Sequence, residues 1–136
     1  MLAALMAGLL LLGACIPEAE AVGTGVIAVS AKDLYAAYAS DEAAADAKYK
    51  GRRLEVTGEV IISRVVVLIN QYCIVLNGEI DPTFTSWGIQ CFFNNTSDTR
   101  LYEVEKRRIV TVRGRCDGLQ QDVVLRDCEL ISLQPK

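Results

Sequence analysis

Apolar and polar positions change their period twice along this chain, and the changes divide it into three stretches. An uncharged apolar run opens it and ends at Leu12-Gly13-Ala14-Cys15. That run is shorter than the ~20 apolar residues a bilayer span needs, and small residues before a cleavage point are what a signal peptidase requires. Residues 1–14 therefore read as a bacterial lipoprotein signal peptide, and Cys15 as the residue that takes up lipid. No Lys or Arg precedes Lys32, so the usual basic n-region is missing from the stretch given. Ile16-Pro17-Glu18 stops any apolar helix abruptly. Residues 15–29 then lack a clear period and are rich in small residues, which suits a lipidated cysteine followed by a flexible tether.

From Ser30 the period is helical. Ser30 with Asp33 resembles a capping box, and Leu34, Ala37 and Tyr38 share one face, predicting a helix over 31–39. Ser40 or Asp41 can cap a second turn over 42–48, where alanines raise helix propensity. Gly51 ends it. Beyond Gly51 the period becomes two: Leu54, Val56, Gly58, Val60 and Ile62 point one way, while Glu55, Thr57 and Glu59 point the other. Residues 65–76 are almost wholly apolar and β-branched and supply a second strand without readable boundaries. Within them Val65 to Ile69 fits a core strand; as an exposed edge it would invite aggregation or strand addition by a partner protein.

Asn77-Gly78 and Asp81-Pro82 carry turn chemistry and lead to a third strand over 89–93. Ile89, Cys91 and Phe93 face inward there and Phe92 outward. Residues 99–105 predict a short helix burying Leu101 and Val104. Val110, Val112 and Gly114 alternate on a fourth strand, and Asp117-Gly118 turns the chain into a fifth over 123–131. Five strands, with one helix before the first and a short one between the third and fourth, give the element order of an OB-fold Greek-key barrel, mainly β, over residues 30–133. Gly58 and Gly114 suit sharp bends in its strands.

Composition narrows the chemistry. The chain has 136 residues, no histidine and a net charge of −3. Without histidine the commonest general base and metal ligand are missing, so no metal site and no cofactor is expected. Ser63 and Ser86 have no partner to activate them, paired acids such as Asp41-Glu42 have a helix-start explanation, and no glycine-rich phosphate loop occurs. The chain therefore does not read as an enzyme. Five cysteines divide into Cys15 for lipid and an even set of four, Cys73, Cys91, Cys116 and Cys128, without CxxC spacing. In an oxidising compartment such a set reads as one or two disulfides. Cys116 with Cys128, on one predicted hairpin, is the favoured pair, and Cys73 with Cys91 the further candidate.

Several segments carry a resemblance. Ala45-Asp46-Ala47-Lys48-Tyr49-Lys50-Gly51, Val56-Thr57-Gly58, Cys91-Phe92-Phe93, Val110-Thr111-Val112-Arg113-Gly114, Cys116-Asp117-Gly118-Leu119 and Val124-Leu125-Arg126-Asp127-Cys128 together resemble the tRNA_anti-like OB-fold family of small bacterial envelope proteins. The resemblance spans nearly all of 30–131 and implies the barrel, not a ligand. Lys106-Arg107-Arg108 departs from the Lys-Gly-Gln usual before the fourth strand, and Cys73 is an addition to the pattern.

OB barrels bind across strands two and three and their loops. That face singles out outward Phe92, Trp87 in the adjoining loop, and Arg64. The basic residues read mostly as surface, because pairing of the first strand with the fourth sets Glu55 and Glu59 near Arg113 and Arg115. The expectation is a non-catalytic binding or structural module on the periplasmic side of the bacterial envelope. A lipid holds it to the membrane, and its ligand is an envelope protein or glycan. Single-stranded nucleic acid is the alternative, by fold analogy alone.

Overall fold

The computed structural model describes residues 25–78 and 88–135. Its elements are β1 (Ile27–Ser30), α1 (Ala31–Ser40), α2 (Glu42–Tyr49), β2 (Arg53–Val66), β3 (Gln71–Asn77), β4 (Gly88–Phe93), β5 (Ile109–Gln120) and β6 (Asp122–Leu133), with 3-10 turns at Val67–Ile69 and Thr99–Glu103. The strands run in the order β1-β2-β3-β4-β6-β5, and a further β2–β5 pairing closes β2 to β6 into a barrel. β4 and β6 are parallel; the other pairs around the barrel are antiparallel. This is the five-stranded OB-fold.

Both helices begin where the polar caps direct. The Ser30 side chain accepts the Asp33 N–H at 3.0 Å, and Asp41 accepts the Ala44 N–H at 3.1 Å, each meeting an amide that no helical carbonyl can reach. α1 buries Ala31, Leu34 and Tyr38, and α2 buries Ala45 and Tyr49, so the two tyrosines pack the helices to the barrel. A Cβ on Gly58 would lie 2.7 Å from that of Ala31. The glycine lets α1 approach β2 and is not a free bend.

The interior follows the alternation. Leu54, Val56, Val60, Ile74, Leu76, Ile89, Cys91, Phe93, Val110, Val112 and Leu125 are buried, and Leu101 and Val104 close one side as expected. Four details differ from the sequence reading. Ile27–Val29, assigned to the tether, form most of β1, parallel to the start of β2 from Leu54 to Thr57. The register shifts between Val60 and Ile62, so Ile62 turns outward instead of continuing the inner row. The apolar run at 65–69 is not a core strand: β2 ends, a 3-10 turn follows, and Asn70, with φ of 50°, carries the chain into β3. Asp117-Gly118 is no hairpin turn. Gly118, at φ 84°, lies within β5 at a register irregularity, and the reversal falls at Gln121 with φ 73°.

Candidate functional site

Cross-strand register brings two of the expected binding residues into one row. Arg64 on β2 lies opposite Cys73 on β3, and Cys73 opposite Phe92 on β4. Arg64 is exposed, Phe92 half-buried. Trp87 lies outside the described residues, as do Phe84 and Cys15. Phe92 does not present a free ring, because the Arg126 guanidinium stands over it at 5.4 Å. Arg126 Nε in turn donates to Asp117 at 2.9 Å, which holds that carboxyl below the usual carboxylate range. An aromatic face occupied by a tethered cation offers a base or sugar little to stack on.

Four further arginines are similarly engaged. Arg113 reaches Glu55 at 3.1 Å and Glu129 at 3.5 Å, Arg115 reaches Asp127 at 3.0 Å, and Arg100 reaches Asp98 at 2.7 Å. Arg108 donates to the Gln134 carbonyl at 2.6 Å. The cross-strand pairing foreseen for Arg113 is present; Arg115 takes Asp127 and not a β2 glutamate. At the start of β4, buried Asp122 accepts the Gly88 N–H at 3.3 Å and Gln90 Nε2 at 2.7 Å. That carboxylate is satisfied structurally.

One surface is not satisfied in this way. β5 accompanies β2 only to Glu59, after which the Val60 backbone bonds to Arg107 and Arg108. From Ile61 to Val66, β2 therefore has β3 along one edge and, among the described residues, no strand along the other. This overhanging hairpin carries Ile62 at 41 % exposure, Val65 at 54 %, Leu68 at 97 % and Ile69 at 51 %. Val65 shares the inner face with Tyr72, and it is uncovered because the barrel wall has ended there. The apolar, β-branched character of the run fits a core strand, which is not where it lies. Asn70 and Gln71, two polar residues interrupting the run, were the signal for a turn.

The four internal cysteines are buried free thiols, and the expected Cys116–Cys128 bridge is not made. Cys116 lies opposite Leu125, with its sulfur 3.5 Å from the Tyr38 hydroxyl, which donates to Asp46 at 3.0 Å. Desolvation, with Cys116 and Asp46 nearby, pushes the Tyr38 hydroxyl well above the ordinary tyrosine range. Burial also pushes the Cys73 thiol up to about 11. Neither group is activated for nucleophilic work. Among the described residues no cluster could hold a metal ion, and no helix is long and apolar enough to cross a membrane.

Comparison with known proteins agrees with the barrel. No curated protein matches significantly. A solved structure of a lipoprotein from Klebsiella pneumoniae subsp. pneumoniae, provisionally named as nucleic acid-binding, is similar at a TM-score of 0.56 and 13 % identity. The similarity covers 85 % of this chain and 97 % of that one, and at this identity it speaks for the fold. The family model described as tRNA_anti-like matches residues 14–130. With its closed barrel and a match over most of its length, the chain belongs to the tRNA_anti-like family.

Proposed function

We propose that this protein is a non-catalytic OB-fold module, held to the bacterial envelope by lipid on Cys15, that docks a partner protein through the overhanging β2–β3 hairpin. The observation that carries the reading is the apolar overhang itself, with Leu68 97 % exposed beside Val65 and Ile69 and an unpaired β2 edge among the described residues. Exposed apolar side chains next to an open strand edge fit a protein that adds a strand and covers the tip. The chain enters β1 beside Leu54, at the opposite end of β2 from the tip. An anchor at that end turns the hairpin away from the membrane, which favours a protein over a lipid surface.

Nucleic acid is the competing ligand, suggested by the name of the Klebsiella lipoprotein. Against it stand the net charge of −3 and the engagement of Arg100, Arg113, Arg115 and Arg126 with carboxylates, since polyanion binding depends on cations free to release counterions. The test is photocrosslinking in cells from a probe residue at position 68, compared with one at position 32 on α1. A discrete protein adduct from 68, lost on Val65→Asp, is expected. Steep salt-dependent binding of a fluorescent oligonucleotide, unaffected by Val65→Asp but lost with Arg64→Glu, would overturn the reading in favour of nucleic acid.

A further inference from the structure

The open edge of β2 begins beside a basic turn. The Arg107 N–H donates to the Val60 carbonyl at 2.7 Å, and the Val60 N–H donates to the Arg108 carbonyl at 2.8 Å. Residues 106–108 therefore lie against β2 on the side that β5 occupies up to Glu59, at the point where the unpaired stretch starts. Lys106 and Arg107 are exposed there, as is Arg64 farther along β2. None of these three cations makes an ion pair among the described residues. Arg107 has a φ of 71°, a left-handed backbone that glycine adopts without strain and arginine does not; the chain carries that cost and keeps the cation. In a protein of net charge −3, residues 60–78 contain no acid and one cation, Arg64. Glu103 and Glu105 precede the basic turn, and Glu59 lies back in the paired stretch, opposite Ile109. Apolar surface continues between tip and turn, because Tyr102, 64 % exposed, stands edge-on to Tyr72 at 6.0 Å, and Tyr72 is the cross-strand neighbour of Val65.

We infer that the partner segment docked on the overhanging hairpin is acidic: an extended stretch whose apolar side chains cover Val65, Leu68 and Ile69 and whose carboxylates meet Arg64, Lys106 and Arg107. The inference rests on the docking role proposed above and adds the sign of the partner's charge. Backbone pairing along the open edge and apolar cover of the tip supply contact that accepts many sequences. The cations at both ends of the edge supply register and discrimination, since opposite charges speed encounter and like charges reject the wrong segment. A second copy of this chain is a poor occupant on the same ground. Two-fold pairing along this edge would set the Arg64 of each chain near the cations of the other, and like charges across paired strands oppose each other.

The experiment titrates the full chain into two fluorescent peptides of alternating valine and threonine, one with glutamates at both ends and one with lysines, and reads anisotropy. The acidic peptide should bind about tenfold more tightly at low salt, with the ratio shrinking at moderate salt. Lys106→Glu with Arg107→Glu should reverse the preference. Arg107→Gly should reduce it with no loss in thermal midpoint, because glycine suits the left-handed backbone; that variant separates charge from folding. Equal binding of both peptides, lost with Val65→Asp, would overturn the acidic partner and leave docking at the hairpin standing. Binding of neither peptide would overturn both. Binding to phosphatidylglycerol vesicles in preference to the acidic peptide, weakened by Arg107→Gly, would assign the tip to a lipid surface and overturn the inference as well.

Discussion

At the residue scale, close contacts at glycine carry more of the design than bending does. Gly114 suits a bend in a small barrel, yet its place beneath Cys128 is a packing requirement: a Cβ added there would lie 2.5 Å from the Cys128 sulfur and 3.1 Å from the Arg126 carbonyl oxygen. Gly114→Ala should cost about 1–3 kcal/mol, the usual penalty of overpacking, read as a lowered urea midpoint. Cys128→Ala in the same background should recover part of the loss, because it removes the nearest atom. An additive double mutant would deny the contact. The sequence showed a glycine in an alternating strand, but the atom above it depends on a one-residue slip at Asp127. Likewise Phe92 was legible as outward from alternation with Cys91 and Phe93, whereas the Arg126 lid over it was not. That lid requires β6 beside β4, a parallel neighbour more than thirty residues away.

Elements were most legible where a period and a cap agreed. Ser30 marked the first helix start, Ser40 or Asp41 the second, which the structure resolves to Asp41, and the even spacing of Leu54, Val56 and Val60 marked the inner face of β2. Ser30→Ala and Asp41→Ala should each cost ~1 kcal/mol, measured by equilibrium unfolding; loss of neither would mean that tertiary packing alone fixes α1 and α2. Periodicity failed where one residue was inserted or a turn residue was absorbed. The slip after Val60 reversed Ile62, and Gly118 took a left-handed backbone inside β5 without reversing it. The overhang was hidden for a different reason. Apolar β-branched residues pack a core or cover a partner equally well, and only the end of β5 pairing at Glu59 separates the two. If the tip serves a partner and not the fold, Leu68→Asp should leave the urea midpoint within about 0.5 kcal/mol of the parent, as surface substitutions do. A large loss would return the run to the core.

For the whole molecule, the balance of ionisable groups predicts how stability depends on pH. Asp98 and Asp117 are held below the usual carboxylate range, chiefly by hydrogen bonds from Arg100 and Arg126. A depressed folded value gives stability that is present above the ordinary carboxylate range and lost as pH falls through it, and at exposed pairs the effect is small and screened by salt. The thiols act in the other direction. Burial raises Cys91 and Cys116 and pushes Cys73 up to about 11 from an ordinary 9.0, so their contribution is full below about pH 9 and falls as pH rises through the folded values. Between these limits the chain has no histidine to titrate. The thermal midpoint of the reduced protein should therefore be level from about pH 6 to 8, decline modestly in acid, and decline more steeply in alkali. Cys73→Ala should flatten part of the alkaline fall while leaving the acid limb unchanged. A midpoint that moved between about pH 6 and 8 would require a titrating group that neither the composition nor the described residues supply, and an alkaline limb unchanged in Cys73→Ala would remove that thiol from the balance.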